Sequence, residues 1–340
     1  MSELAEKIVA GDVRAVARAL RDVDDRAGGW LGLLKEIFPS TGRACVVGVT
    51  GNPGAGKSTL TDRLVAASRA QGKRVGVLCV DPTSPYTGGA ILGDRIRMQR
   101  HAEDKGVFIR SVATRGHLGG LSRSARDMVR VLDAAGFDVV YVETVGVGQD
   151  ELEITRTAHT TLVVMAPGLG DEVQAIKAGI LETADVFAVN KADRDGADAT
   201  VRDLELMIAL GGEAMIAAGK TRGHGGAKAA ASRAPVADAA TQATWVPPIH
   251  KCVATRGEGI DDLMASLDKH HTWIASTEAG RDRRRARLAD EVRESLRETL
   301  IEAATDSLAK ELDDAVAAVD ARTIDPYTAT ERLLESFRRR

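Results

Sequence analysis

Seven short Val-rich runs, VVGVT, VGVLCVD, VFIRSVA, DVVYVET, TLVVMA, DVFAVN and PIHKCVA, recur between Arg43 and Ala254, with amphipathic helix-length segments between most of them. A parallel strand pair needs a long crossover, and crossover helices bury both faces of the sheet, so its strands read as continuous apolar runs. The alternation therefore predicts an α/β fold with a mostly parallel sheet and helices on both faces. The pattern begins at Arg43 and stops after Gly259. Ahead of it, SELAEKIVAGDVRAVARALRDV and WLGLLKEIF carry apolar residues at helical spacing with Ser2 as an N-cap, which predicts an N-terminal helical segment over 1–40. Beyond the α/β domain, at 41–275, a helical arm is expected over 276–340, including a long segment from Gly280 to Ile301. Its last helix starts at Asp325 and Pro326, a capping carboxylate followed by a first-turn proline.

With 340 residues, 44% hydrophobic and 28% charged, the chain has the material of a globular protein. A formal net charge of -3 gives no global electrostatic case for nucleic acid or a membrane surface as partner. The basic run RDRRRAR is followed by Asp290, Glu291, Glu294 and Glu298 at spacings that pair along a helix, so a solvated face is expected there. No apolar run approaches bilayer length, and MSELAEKIVAGDVRAV carries the charges of an ordinary helix rather than a signal peptide, so the expected address is cytoplasmic. Cys45, Cys79 and Cys252 lie inside strand-like runs without paired spacing and read as reduced core thiols. The Gly- and Ala-rich stretch from Gly211 to Thr244 reads as a surface loop.

Directly after the first run comes GNPGAGKST, in which Gly51, Gly56, Lys57 and Ser58 fit G-x-x-x-x-G-K-[ST] between a strand and a helix pattern. Glycines let the backbone turn its amides towards phosphate oxygens, the helix N-terminus adds positive potential, and Lys57 reaches the β and γ phosphates. The stretch Gly51, Asn52, Pro53, Gly54, Ala55, Gly56, Lys57, Ser58 and Thr59 is thus the expected phosphate cradle. Ser58 is a candidate ligand for Mg2+, which prefers hard oxygen donors and needs carboxylates nearby. Asp81 and Glu143 end strands whose tips converge on the ligand crevice, and Asp94 sits in the loop TGGAILGD. Each of these acids has an ordinary alternative, the capping of a turn or helix.

The nucleotide's base is addressed by Asn190, Lys191, Ala192 and Asp193, which match N-K-x-D near the end of a strand. A carboxylate at Asp193 accepts the ring N1 proton and the 2-amino group of guanine, whereas adenine offers neither, so GTP is favoured over ATP. Lys191 would lay its stem along the base and Asn190 would brace the loop. The matching element is CVATRGEG, with Ala254 offering its amide to the guanine carbonyl oxygen and Val253 standing where GTPases usually carry Ser.

These motifs, together with DPTSPYTGGAILGDRIRM, TRGHLGGLSR, ETVGVGQDE, APGLGDEVQAIKAGI and GEGIDDL, resemble the MeaB/ArgK-type GTPases, whose human relative is the methylmalonic aciduria type A protein. The resemblance implies a P-loop NTPase of the SIMIBI class that binds GTP or GDP with Mg2+ and forms a homodimer through its C-terminal helices. It implies a chaperone role for an adenosylcobalamin-dependent acyl-CoA mutase, usually methylmalonyl-CoA mutase, in which GTP hydrolysis gates cofactor loading. It places the metal on Ser58, Asp81, Asp94 and Glu143, and mobile switches near Asp81 to Met98, Gly146 to Glu151 and Pro167 to Lys177. For catalysis the candidates are Lys57, Asp94, the γ-phosphate glycine Gly146, and Gln149, which either orients water or is a surface polar residue. Two other readings stay open: a kinase acting on a transport protein, which lacks a visible substrate base, and a metal-insertion GTPase, which lacks a His-rich tract.

Overall fold

The computed structural model describes residues 1–82, 98–101, 103–114, 120–144, 154, 157–168, 184–221 and 244–339. Among the described residues seven strands form one sheet, namely β1 (Cys45–Gly51), β2 (Val75–Pro82), β3 (Val107–Thr114), β4 (Val139–Thr144), β5 (Thr160–Met165), β6 (Val186–Asn190) and β7 (Ile249–Cys252). Their order is β3-β2-β4-β1-β5-β6-β7, and every neighbouring pair is parallel. Each Val-rich run of the sequence is one of these strands.

Because side chains alternate along a strand, each run feeds two cores. On one face Val46, Leu78, Val80, Val140 and Val142 pack with α1 (Glu3–Val9), α2 (Val13–Asp24), α3 (Trp30–Ile37) and α5 (Gly120–Ala134). On the other, Val47, Val49, Val75, Val77 and Tyr141 pack with α4 (Lys57–Ala70) and α7 (Ile260–Ser276). Helix α6 (Ala197–Thr221) covers β5 and β6 through Leu204 and Ala197. The N-terminal helices start as their sequence dictates: Ser2 Oγ accepts from the Ala5 amide, and the Asp12 carboxylate from the Ala15 amide at 2.7 Å. The entry to β1 is fixed by buried Asp133, whose carboxylate accepts from the amides of Arg43 at 3.1 Å and Ala44 at 2.9 Å.

The chain divides into two compact units, Met1–Arg281 and Asp282–Arg340. The second holds most of α8 (Glu278–Ser307), with α9 (Ala309–Asp320) and α10 (Pro326–Arg338). Asp325 caps α10 by accepting from the amides of Tyr327 at 2.9 Å and Thr328 at 3.0 Å. The basic run lies on α8, where Arg285 is 4.0 Å from Asp282, and the acids that follow it pair further along the helix, Asp290 with Arg293 at 2.8 Å and Glu294 with Arg297 at 2.6 Å.

One expectation is corrected. The loop read from Gly211 to Thr244 does not begin at Gly211, because α6 continues to Thr221. Gly211, Gly212 and Gly219 cost about 1 kcal/mol each in a helix, but the stretch otherwise holds mostly good helix formers, and propagation from an existing helix avoids a new nucleus. Residues 222–243 lie outside the described residues. None of the three cysteines is in a disulfide, and burial pushes the Cys45 and Cys252 thiols up to about 12, so neither forms a thiolate near neutral pH. Among the described residues no helix is long and apolar enough to cross a membrane.

Candidate nucleotide site

The crossovers after the adjacent strands β1 and β5 run to opposite sides of the sheet, to β2 and β6, which opens a crevice at their C-terminal ends. The turn from β1 to α4 lies there. Gly51, Gly54 and Gly56 hold φ of 129, 76 and 88 degrees, values that residues with a Cβ rarely adopt. A Cβ on Gly51 would run into the Val164 carbonyl of β5, and one on Gly56 would meet Asn190 Nδ2 at 2.5 Å. Gly51 and Gly56 are thus required twice, for their dihedrals and for the closeness of the loop to β5 and β6, and Gly54 for its dihedral alone. Pro53 and Gly54 are exposed, Asn52 and Thr59 are half-buried, and Ala55 is buried.

Lys57, with 6% exposure, donates from Nζ to the carbonyls of Gly51 at 2.7 Å and Asn52 at 3.0 Å. Its ammonium therefore lies inside the loop that it closes. Ser58 Oγ donates to Glu143 Oε1 at 2.6 Å, both side chains buried. Glu143 reaches Ser58 because β4 is the immediate neighbour of β1, in register with Val49 on one side and Cys79 on the other. Just beyond, Thr144 Oγ1 donates to Thr50 Oγ1 at 3.2 Å, tying the two strand tips together. Asp81 lies on β2 two positions past Cys79, at the same end of the sheet. A buried hydroxyl and carboxylate in contact are a hard-oxygen donor pair, which fits Mg2+ and not a soft metal. Asp94, Gly146 and Gln149 lie outside the described residues, as do most positions of the three switch stretches.

The base-directed residues converge on the same loop. Asn190 at the tip of β6 donates from Nδ2 to the Ala55 carbonyl at 2.8 Å and accepts at Oδ1 from the Ala254 amide at 3.1 Å. One side chain thereby joins the turn after β1 to the turn after β7. Lys191, at φ 58 degrees, donates from Nζ to the Gly54 carbonyl at 2.6 Å. Asp193 is half-exposed and pairs with Arg256 at 2.9 Å. The turn from Val253 to Glu258 closes on itself through the Val253 amide to the Glu258 carbonyl at 3.1 Å, and Val253 and Ala254 are buried.

Sequence reasoning missed two arginines. Arg63 on α4 donates to the carbonyls of Ala254 at 2.8 Å and Thr255 at 2.7 Å, clamping the turn from outside. This gives the turn the lateral support that Val253, lacking a hydroxyl, does not provide. Arg256 is the partner of Asp193 just described. A lone arginine in a helix or turn carries no periodic or spacing signal, so neither was recoverable from the sequence.

A parallel sheet whose central strand leads into a glycine-rich phosphate loop, with the carboxylate of the adjoining strand on the loop's serine, defines a P-loop NTPase of the SIMIBI class. The profile of the family described as "Methylmalonyl Co-A mutase-associated GTPase MeaB" matches residues 16–309, and the chain belongs to that family. A Pyrococcus horikoshii protein named as a GTPase is 44% identical over 337 residues, covering 99% of this chain and 98% of the relative. The Escherichia coli GTPase ArgK is 42% identical over 199 residues, 57% of this chain and 60% of its own. The Caenorhabditis elegans mitochondrial methylmalonic aciduria type A homolog is 37% identical over 227 residues, 62% of this chain and 57% of its own. A crystal structure of a LAO/AO transport system kinase aligns at TM-score 0.65 and 25% identity, covering 99% of this chain and 97% of that one.

Proposed function

We propose that this member of the MeaB family hydrolyses GTP with Mg2+ and acts as a chaperone that gates cofactor loading of an adenosylcobalamin-dependent acyl-CoA mutase. The observation that carries the GTPase part is the single connected site: Asn190 spans from the phosphate loop to the Ala254 turn, so base and phosphate readers sit on one frame. GTP would lie with its phosphates in the cradle of residues 51–59 and its guanine against Asp193, Lys191 and the Ala254 amide. Ser58 and Glu143, with Asp81 and Asp94, would hold the Mg2+, whose charge offsets that of the phosphate oxygens. Gln149 and Gly146 are proposed to face the γ phosphate, with Gln149 orienting water.

The family's name supports the mutase as client, and methylmalonyl-CoA mutase is the proposed one. No observation favours kinase action on a transport protein. His270, one of the histidines weighed for metal delivery, is buried in the core on Thr160 Oγ1 at 2.8 Å, and among the described residues no group of three or more His, Cys, Asp or Glu side chains comes together. The test is GTP hydrolysis while the acyl-CoA mutase of the same genome is titrated in. A saturable rise with GTP and none with ATP is expected; a flat response with basal turnover intact would remove the mutase as client.

The homodimer is proposed on the chemistry of the second unit. Between Asp282 and Arg339 the only buried hydrophobic side chains are Leu308 and Ala329, while Leu288, Val292, Leu296 and Leu300 stand exposed at four-residue spacing on α8. A unit with so little core of its own needs a partner surface, and a stripe at that spacing suits a second copy of the helix. In light scattering the wild type is expected at twice the protomer mass and Leu296→Glu at one protomer, with GTP turnover retained. A dimeric Leu296→Glu would place the interface elsewhere. The cytoplasm is the proposed site of action.

A further inference from the structure

The carboxylate assigned to read guanine already has a partner. Arg256 Nη2 lies 2.9 Å from Asp193 Oδ2, and Arg256 comes from the same turn that offers the Ala254 amide. That turn is rigidly seated: it is closed by the paired backbones of Val253 and Glu258, clamped by Arg63 and anchored by Asn190. The position of Arg256 beside the base site is thus built in. Arg256 also has a second acceptor in place, Glu258 Oε1 at 3.4 Å from its Nε.

We propose that Arg256 is an internal competitor for the guanine base, releasing Asp193 while it stays with Glu258 when nucleotide binds and retaking Asp193 as nucleotide leaves. The inference rests on the reading of Asp193 as the base-reading carboxylate. Guanine presents two donors, N1–H and the 2-amino group, and so engages both carboxylate oxygens, one of which the guanidinium holds in this structure. The exchange weakens GDP and GTP alike and shortens the residence of product, because an acceptor for Arg256 and a donor for Asp193 are both in place as the base departs. Adenine nucleotides, which do not engage Asp193, are not subject to it. An exposed pair of this kind holds by a factor of about two to five, enough to set release without closing the site.

The test is equilibrium and stopped-flow binding of ribose-labelled fluorescent GDP to the full-length chain as wild type, Arg256→Ala, Glu258→Gln and Asp193→Asn. Arg256→Ala is expected to bind GDP about two- to fivefold more tightly, mainly through slower dissociation. Glu258→Gln is expected to bind more weakly, because a neutral amide draws Arg256 away from Asp193 less strongly than the carboxylate does. The gap between wild type and Arg256→Ala should close as salt rises to about 0.5 M, since an exposed pair is screened. Added to Asp193→Asn and measured with xanthosine diphosphate, Arg256→Ala should change nothing. Unchanged or weaker GDP binding by Arg256→Ala, with Asp193→Asn still shifting preference to xanthine, overturns the competitor alone. An Asp193→Asn protein that keeps its preference for GDP overturns the base reading and the competitor with it.

Discussion

Lys57→Ala reduces GTP turnover by a factor on the order of 10^2 to 10^3, the loss expected when one preorganised donor to developing transition-state charge is removed. The structure gives this lysine an unusually confined place. Its ammonium is buried inside the loop on the carbonyls of Gly51 and Asn52, so the charge is held where phosphates of a bound nucleotide would lie. Alanine removes a buried cation together with its contacts and leaves two carbonyls facing the loop interior, so a thermal unfolding scan should show only a modest loss. Lys57→Arg is not expected to restore turnover. The guanidinium is planar and larger, and the loop, pressed against β5 and Asn190, has no slack to admit it. Phosphate release at saturating GTP is the readout. More than about a tenth of wild-type turnover in Lys57→Ala would exclude the lysine as the main charge donor.

The fold was legible because its signals are periodic and redundant. Each Val-rich run became one strand of the sheet, since a strand buried on both faces tolerates little besides apolar residues. The boundaries at Ser2 and Asp325 were legible for a different reason, that a capping side chain must sit at one defined position. Where two signals conflicted, reading failed. In α6 the glycines at 211 and 212 suggested a loop, yet the flanking helix carried through them. In the candidate site the residues that belong to short fixed spacings stood out: Lys57 and Ser58 in one string, Asn190 and Asp193 in another. Glu143 was singled out by its place at a strand tip, and there it accepts from Ser58 Oγ. The contacts that organise those strings were not visible. Arg63 meets the Ala254 turn, and Arg256 meets Asp193, across gaps in sequence that only the packing of α4 and the turn after β7 closes.

Asp193→Asn is expected to lower GTP affinity by about 10^2 to 10^3 and to move preference towards xanthosine triphosphate. The carboxylate accepts from both N1–H and the 2-amino group; the amide keeps the first contact and turns a donor towards the second, where guanine also presents a donor. Xanthine carries a carbonyl oxygen at that position, so the mismatch becomes a hydrogen bond. Such a pair of polar contacts discriminates strongly because the wrong base leaves a desolvated polar group without a partner. The surroundings of Asp193 favour a clean exchange. Asn190, which fixes the Ala254 amide, and Arg63, which clamps the turn, are untouched by the change, so the carbonyl contact of the base is preserved. The side chain is half-exposed and isosteric with its replacement, so stability should stay within about 0.5 kcal/mol of wild type. Turnover with xanthosine triphosphate should then approach that of the wild type with GTP, because Lys57, Ser58 and Glu143 lie at the other end of the site and see the same phosphates. Competition binding with the guanine, xanthine and adenine triphosphates reads all of this in one experiment. A protein that loses GTP without gaining the xanthine nucleotide would show that Asp193 supports the pocket without touching the base.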